Sequence, residues 1–438
     1  MAKANQIPPG PTEAFVPSHD LLRWLGDQFE RYGDIYQARI YGSSVYVINA
    51  PDLIEHVLLK NWQNYIRKGQ AVKRIALSLG NGLISSNGPT WVRQRRMIQP
   101  AFNRASICGF AGLMQEANAA LCARWIRAAE SGAAVNVTRD VSHLTLEITL
   151  RALFGADYEA LAPRFAIVAE ESRNLEFAKE CNALAKIIMD LAQARRDAGR
   201  MDADILGMMI QARDREGGRP MPDVQLAREA LTIVIAGHET TASVLNWTWY
   251  LIARHPDVES MLSAELDALS AAPVPDVESY AGFPYTRSVI EEALRLYPPL
   301  WLMTRRTVHD DWLGDYFVPA GTEIYISPFL VQRHPALWEM PERFEPERFA
   351  QEESGRPKLA SCPFGAGPRN CIGEFMARLE IQTHLMTVVP QLRLLYPEHR
   401  SMEMVPGTNL LSESDFIMNP ILRLAARDEK LQGAVSLI

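Results

Sequence analysis

Alternating hydrophobic and polar positions near the start of the chain give way to a long region with helical periodicity. Residues 34–40 and 44–49 are β-branched and aromatic segments that flank a Gly-Ser turn, which predicts a hairpin. From about residue 51 to 297, Ala, Leu, Glu and Arg predominate and the pattern is mainly helical. Strand-like segments return around residues 302–327, and a further helix is expected after Cys371.

The longest predicted helix runs from about Pro222 to Arg254. Pro222-Asp223 is typical of a helix start, and the helix must stop before Pro256. Its second half is apolar on most faces, so we expect this helix to cross the interior of the protein. The pattern therefore predicts a mainly α protein with small β-sheets (an α+β architecture) rather than a βαβ array.

Nothing in the sequence divides its 438 residues into separate units. We find no linker rich in Gly, Ser or Pro, no repeat period and no low-complexity block. We therefore expect one domain over residues 1–438. It would have a β-rich part at about 30–50, a helical body at about 51–300, and β segments with a cysteine loop at about 301–438.

Composition narrows the possible functions. The chain is 47% hydrophobic and 22% charged, with a net charge of −7, which argues against a nucleic-acid-binding protein. No segment reaches the roughly 18 apolar residues of a membrane span, and no signal peptide is visible, so we expect no membrane anchor and a cytoplasmic protein. The five cysteines are scattered and odd in number, which indicates neither a disulfide framework nor a structural zinc site.

The strongest local motif is Phe364-Gly-Ala-Gly-Pro-Arg-Asn-Cys-Ile-Gly373. A thiolate that binds iron needs backbone N–H groups directed at its sulfur, and the start of a helix after Cys371 would add a positive dipole end. Gly367 and Gly373 would let the backbone turn tightly and approach a porphyrin. Arg369 could neutralise a haem propionate, and Phe364 could shield the sulfur from water.

This segment resembles the haem-ligand loop of the cytochrome P450 family, whose pattern is Phe-x-x-Gly-x-Arg-x-Cys-x-Gly. Every defined position is filled here. The resemblance implies the cytochrome P450 fold, with a long central helix over a haem b whose iron takes the Cys371 thiolate as its axial ligand. It also implies that Phe364, Gly367, Arg369 and Gly373 belong to the haem-binding set.

A second motif, Ala236-Gly237-His238-Glu239-Thr240, lies in the middle of the long helix. An interior glycine destabilises a helix by roughly 1 kcal/mol relative to alanine, so it requires a reason. Small Ala236 and Gly237 would let the helix lie against the haem, and the Thr240 hydroxyl could bond back into the helix and open a groove for O2. In the family an acid–alcohol pair delivers protons to bound oxygen, and the resemblance assigns that role to Glu239 and Thr240. His238 is expected to be a packing or solvent contact.

A third motif combines Glu292-Ala-Leu-Arg295 with Pro346-Glu-Arg348-Phe. The Glu-x-x-Arg spacing by itself is common, and most such pairs are solvated. The position of this pair before the cysteine loop distinguishes it from the others. The resemblance implies that Glu292, Arg295 and Arg348 form a buried network with a structural role.

A fourth motif, Trp91-Val-Arg-Gln-Arg95, resembles the family helix whose Trp and Arg reach a haem propionate. Many members carry a His four residues before this Trp, whereas this chain has Asn87, which puts the usual additional propionate contact in doubt. Arg305 fits the spacing of another propionate-binding arginine, and Arg306 is the alternative.

The resemblance implies a haem-thiolate monooxygenase that inserts one atom of O2 into a hydrophobic substrate. Leu300–Met303 and Leu410-Leu411 are apolar candidates for the pocket, and the phrasing of the motifs favours a fatty acid or a terpenoid or carotenoid. We expect electrons from NAD(P)H through a separate ferredoxin- or flavodoxin-type donor and its reductase. Arg93, Arg96 and Arg104 are candidates for the docking patch or simply a solvated face.

Two other functions stay open at this point. A haem-thiolate peroxygenase or isomerase would normally lack the acid–alcohol pair. A non-catalytic haem carrier or gas sensor would have no substrate cavity.

Overall fold

The fold is known from a computed structural model, which describes residues 6–17, 20–69, 72–73, 76, 79–171, 177–269, 277–350, 355–397 and 401–423. The described helices are α1 (Leu21–Tyr32), α2 (Pro51–Glu55), α3 (Gly88–Ile98), α4 (Arg104–Cys108), α5 (Ala111–Ser131), α6 (Val137–Phe154), α7 (Tyr158–Glu171), α8 (Phe177–Asp197), α9 (Ile205–Gln211), α10 (Asp223–Arg254), α11 (Pro256–Leu266), α12 (Pro284–Leu296), α13 (Pro328–Val331) and α14 (Glu374–Val388). A π-helical turn at His56–Lys60 and several 3₁₀ turns connect them.

The described strands are short. They are β1 (Ile35–Ile40), β2 (Ser43–Ile48), β3 (Tyr65–Ile66), β4 (Val135–Asn136), β5 (Met303–Thr307), β6 (Asp311–Leu313), β7 (Tyr316–Val318), β8 (Glu323–Ile326), β9 (Leu392–Leu395), β10 (Met404–Pro406), β11 (Leu410–Ser412) and β12 (Ile417–Leu422). The mainly helical architecture with small sheets is confirmed.

The largest sheet has the strand order β1-β2-β8-β5-β3. Strands β1 and β2 form the predicted hairpin, but Tyr41 and Gly42 make its turn, with φ of 49° and 79°, one residue earlier than the Gly-Ser pair. The pairing of β2 with β8 is parallel, and β3 joins the edge of the sheet antiparallel to β5. This sheet therefore brings residue 66 beside residue 306, far apart in sequence.

Helix α10 crosses the protein as predicted, over 32 residues that begin immediately after Pro222. Most of its side chains are buried and belong to the main hydrophobic core, which it forms with α5, α6, α12 and α14. Ala236 is an exception because it is exposed in the middle of this otherwise buried helix. The helix is therefore accessible to solvent at Ala236, the first residue of the motif that was predicted to be functional.

Helix α14 follows the cysteine loop and is buried along most of its length. Two smaller hydrophobic clusters pack on the β-rich side of the molecule. Within the described residues, no helix combines the length and the hydropathy that crossing a membrane requires.

Candidate active site

The cysteine loop folds into a tight turn that places Cys371 just before α14. The Cys371 N–H donates to the Phe364 carbonyl at 2.9 Å and closes the loop. Gly367 has φ of +71°, and a Cβ at this position would collide with the Leu58 carbonyl oxygen. Glycine is therefore required by the protein's own backbone, a reason that the sequence alone did not reveal. Gly373 has no such constraint, because a Cβ at this position would lie more than 4 Å from the atoms of the described residues outside its own neighbourhood.

The Cys371 thiol is held in a mixed electrostatic environment. The side chain is accessible, yet burial raises its pKa, so the sulfur lies in a recess rather than on the outer surface. The Gly373 N–H, hydrogen-bonded to the sulfur, and the charges of Arg95 and Arg67 lower the pKa, whereas Glu374 raises it. The N–H donor predicted for a thiolate ligand is thus present, and two cations assist it.

Four arginines lie close together beside this loop, and we call Arg67, Arg95, Arg305 and Arg369 the arginine cluster. Burial lowers the pKa of each guanidinium, that of Arg369 to about 9. Their mutual repulsion adds to the effect: Arg67 and Arg369 lower the pKa of Arg305 further. The cluster therefore concentrates positive charge in a poorly solvated place.

The hydrogen bonds of the arginine cluster go to neutral oxygens. Arg95 binds the carbonyl and side-chain oxygens of Asn370, both at 3.1 Å, and Arg369 donates to the Ser86 carbonyl at 2.9 Å. Nη1 of Arg369 is buried and has no hydrogen-bond partner among the described residues. Within the same residues, none of the four arginines pairs with a carboxylate. Such a cluster is suited to bind an anionic group.

Arg305 and Arg306 occupy opposite faces of β5. Arg305 is buried beside the arginine cluster, with Nη1 donating to the Thr304 carbonyl at 2.9 Å. Arg306 is directed to the other side, where its Nε donates to the Gly321 carbonyl at 2.9 Å. The alternation of side chains along a strand thus separates the two candidates.

Helix α3 contributes Trp91, whose ring lies under the Arg369 guanidinium at 4.3 Å. Asn87, immediately before this helix, accepts hydrogen bonds on Oδ1 from the Arg67 N–H at 2.9 Å and from Arg369 Nη2 at 3.1 Å. Asn87 therefore fixes two members of the arginine cluster. Asn87 thus contacts the site indirectly, through these arginines. This role was not expected from the family pattern, in which many members have a His at this position.

The central helix α10 carries the second motif, residues 236–240. The Thr240 hydroxyl donates to the Ala236 carbonyl at 2.6 Å, the back-bond expected from the sequence. A Cβ on Gly237 would lie 3.3 Å from Thr149 Oγ1, so the glycine also permits close packing of α10 on α6. His238 is buried and pairs with Ser142 at 2.9 Å, and burial lowers its pKa to about 4. It is a packing residue.

Glu239 is bound from outside its own helix. Its Oε2 accepts a hydrogen bond of 2.7 Å from Nδ2 of Asn409 in the turn between β10 and β11.

Of the apolar pocket candidates, Trp301, Met303 and Leu410 are buried in hydrophobic clusters, whereas Leu300 is exposed. Apolar character at these positions therefore reflects core packing at least as much as a pocket wall.

Glu292 and its partners form a network that is neutral as a whole. Arg295 binds both carboxylate oxygens of Glu292 at 2.6 and 2.8 Å, and Arg348 Nε binds Oε1 at 3.0 Å. Glu345 pairs with Arg348 at 2.9 Å and completes what we call the glutamate–arginine network. Arg295 also donates to the carbonyls of residues 332, 341 and 343. The network ties α12 to the segment that leads to the cysteine loop.

A family model described as cytochrome P450 matches residues 18–175 and 163–420 of the chain. The chain belongs to the cytochrome P450 family. Cyclooctatin synthase of Streptomyces melanosporofaciens is 31% identical over 86% of this chain and 85% of its own length. Pentalenene oxygenase of Streptomyces avermitilis is 31% identical over 83% of this chain and 84% of its own length. A chloroplastic relative in Arabidopsis thaliana, LUTEIN DEFICIENT 5, is 29% identical over 84% of this chain and 67% of its own length.

Among solved structures, the haem domain of cytochrome P450DA matches with a TM-score of 0.83. It covers 95% of this chain and 96% of its own, at 24% sequence identity, which supports the fold alone. As a cytochrome P450, the chain is an oxidoreductase, and its family implies a haem iron with a cysteine thiolate ligand.

The residues of this cytochrome P450 are suited to bind a haem with a cysteine thiolate ligand. The arginine cluster offers unpaired cations for two propionates, including the buried orphan Nη1 of Arg369, and Cys371 offers the sulfur. Arg67 was missed in the sequence because it belongs to no local motif. Only the pairing of β3 with β5 brings the segment that ends at Arg67 beside Arg305.

Of the candidate docking arginines, Arg93 binds Asp214 at 3.1 Å and Arg104 lies over the Phe375 ring at 5.0 Å. Arg96 is exposed. Together with Arg93 and Arg369, it lines a cleft of about 810 Å³ along α3. The three arginines therefore do not form one free basic patch.

Proposed function

We propose that the chain is a haem-thiolate monooxygenase that inserts one atom of O2 into a terpenoid. The observation that carries the haem site is the uncompensated arginine cluster beside the Cys371 thiol. When bound, the haem iron with its thiolate ligand would supply the activation of O2 and its transfer to carbon. Residues 1–438 would serve this reaction as a single domain.

The residues of the chain have separate tasks in this proposal. Cys371 would bind the iron, with the Gly373 N–H and the charges of Arg95 and Arg67 favouring its thiolate form. Arg305, Arg369 and Arg95 would hold the propionates by charge-assisted hydrogen bonds, and Trp91 would support Arg369 from below. Ala236 and Gly237 would face the haem with little bulk, and Phe364 would shield the sulfur.

Glu239 and Thr240 favour the monooxygenase over the peroxygenase or isomerase. A carboxyl and a hydroxyl at consecutive positions can relay protons through ordered water to oxygen bound nearby. The Thr240 hydroxyl holds its proton toward the Ala236 carbonyl, and its oxygen remains able to accept another. A peroxygenase or an isomerase has no need of such a relay, and a carrier has none either.

A terpenoid substrate is supported by the names of two relatives. Cyclooctat-9-en-7-ol 5-monooxygenase of Streptomyces melanosporofaciens is 31% identical over 86% of this chain, and pentalenene oxygenase names a further terpene. Electrons would come from NAD(P)H through a ferredoxin- or flavodoxin-type donor and its reductase. Leu300 and Leu411, which are not fully buried, would remain as apolar contacts.

The test uses haem-loaded protein with a ferredoxin, its reductase and NADPH under ¹⁸O2. Cyclooctat-9-en-7-ol, pentalenene and lauric acid are screened by the spin-state change of the Soret band and then by product mass. We expect a terpenoid product that carries one ¹⁸O atom. Product with hydrogen peroxide alone, and none with the redox partners, would instead indicate a peroxygenase. Turnover of lauric acid only would contradict the substrate class.

Two variants separate the parts of this proposal. Cys371→His should abolish the reduced-CO absorption band typical of thiolate ligation; a retained band would refute the iron ligand. Thr240→Ala should keep that band, yet divert NADPH consumption from product to hydrogen peroxide.

A further inference from the structure

Glu239 lies on a face of α10 that binds the tip of the β10–β11 hairpin. Glu239, Ser243 and Trp247 are spaced four residues apart and therefore share one side of the helix. Asn409 donates to Glu239 at 2.7 Å, and the Leu410 carbonyl accepts from Ser243 Oγ at 2.8 Å and from Trp247 Nε1 at 3.2 Å. The hairpin tip is thus fastened along two turns of the helix.

The hairpin tip is also fixed on its other side. Its turn is closed by a hydrogen bond of 3.0 Å from the Gly407 N–H to the Asn409 carbonyl. Trp301 Nε1 donates to the Gly407 carbonyl, and the Leu410 N–H donates to the Pro299 carbonyl, each at 2.9 Å. Asn409 is only 6% exposed. Its amide therefore reaches Glu239 from a rigid, largely buried position.

We propose that Asn409 is a positioning residue for Glu239: its amide fixes one oxygen of the carboxylate, so that the place of the hairpin tip sets the place of the proton-relay acid. This inference rests on the proposed function of Glu239. An N–H donor stabilises the ionised form of a carboxyl group and restricts its rotation. The bond thereby holds the carboxylate in one position relative to α10, the helix that also carries Thr240, its partner in the proposed relay.

Asn409→Leu removes the donor and keeps the branching of the side chain and its number of heavy atoms. Ser243→Ala is the matched control, because it removes another bond between the helix and the same hairpin and leaves Asn409 and Glu239 unchanged. Trp247 still holds the Leu410 carbonyl in this control. If hairpin placement alone mattered, the two variants would behave alike.

The first measurement is infrared titration of the haem-loaded, substrate-free protein. The carboxyl band of Glu239 is identified as the band that disappears in Glu239→Gln. We expect Asn409→Leu to raise the pKa of Glu239 by roughly one unit, because a hydrogen bond to the charged form is lost. Ser243→Ala should leave the band in place. An unchanged band in Asn409→Leu, or an equal change in Ser243→Ala, overturns the proposal.

The second measurement follows turnover of cyclooctat-9-en-7-ol or pentalenene, whichever the wild type converts. Asn409→Leu should release several times more hydrogen peroxide per NADPH, while the substrate dissociation constant from the spin-state titration stays within about twofold. A weakened affinity with unchanged peroxide release would mean that Asn409 shapes the pocket, against the proposal. Failure of the wild type to convert either compound contradicts the proposed function, whereas the infrared comparison still decides the pairing with Asn409.

Discussion

The glutamate–arginine network and the arginine cluster are two largely buried groups of arginines that differ in charge balance. In the glutamate–arginine network, Arg295 and Arg348 are matched by Glu292 and Glu345. In the arginine cluster, the described residues offer only neutral oxygens to the guanidinium groups. The charges of the glutamate–arginine network are balanced by its own carboxylates, whereas the arginine cluster requires a ligand that carries negative charge.

This difference shows how buried charge distinguishes structure from function. A buried cation without a counter-ion is unfavourable in the free protein, so it indicates a site that an anion completes. A buried ion pair with all its hydrogen bonds indicates a fixed joint between segments. Motif spacing alone could not separate the two kinds of arginine in this chain. Three substitutions test this distinction and a fourth tests a buried carboxyl group that has no cationic partner; they follow from the largest expected effect to the smallest.

Glu292→Gln should have the largest effect, because it leaves Arg295 and Arg348 without their shared carboxylate. We expect a loss of roughly 3–5 kcal/mol in the free energy of unfolding, measured by guanidinium denaturation. The control is Glu345→Gln, whose carboxylate is 42% exposed and should contribute less than about 1 kcal/mol. Equal losses in the two variants would show that burial of the network is not what matters.

Glu229→Gln tests a buried carboxyl group of a third kind, satisfied by N–H groups rather than by cations. Glu229 on α10 accepts from the Leu83 N–H at 2.9 Å and from Gln225 at 2.8 Å. Burial raises its pKa to about 7, while these two hydrogen bonds oppose the shift. Between pH 4.5 and 7 the folded protein therefore binds more protons at this group than the unfolded chain does.

The stability of the wild type should consequently fall as the pH rises through that window. Relative to Glu229→Gln, the wild type should lose roughly 3 kcal/mol between pH 4.5 and pH 8. Urea denaturation of both proteins across this pH range gives the difference. A difference that does not vary with pH would mean that the carboxyl group titrates normally in the folded protein.

Arg305→Met should change stability and haem affinity in opposite directions. Removing an unpaired buried cation should stabilise the haem-free protein by roughly 1–3 kcal/mol. The same change should weaken haem retention at least about tenfold, measured by haem transfer to an apoglobin, because a charge-assisted hydrogen bond is lost. Arg306→Met, on the other face of β5, is the control and should produce neither effect. Destabilisation of the haem-free protein would place Arg305 in the structural class instead.

Asn87→Ala should have the smallest effect. It removes the acceptor shared by Arg67 and Arg369, so both arginines gain freedom while keeping their charges. We expect roughly 1 kcal/mol less stability and haem release that is a few times faster. Haem release at the wild-type rate would show that Asn87 does not order the arginine cluster.

The sequence determined the elements whose signals are local. The central helix over residues 223–254 followed from its periodicity and its flanking prolines, and the hairpin followed from alternation around a turn. The loop of Cys371 was visible as a ten-residue pattern, and the contact of Glu292 with Arg295 follows from their i,i+3 spacing on one helix face. That Arg348 joins this pair was implied by the resemblance to the family, not by spacing.

The tertiary structure alone decided the contacts between distant segments. Arg67 joins Arg305 only through the edge pairing of β3 with β5, and Asn409 meets Glu239 only because a hairpin near the end of the chain packs on the central helix. Likewise, Gly367 must be glycine because a Cβ there would collide with the Leu58 carbonyl oxygen, more than 300 residues away in sequence. Local periodicity contains no information on such partners. Long-range packing selects them, and with them it selects which buried charges are paired and which remain available for a ligand.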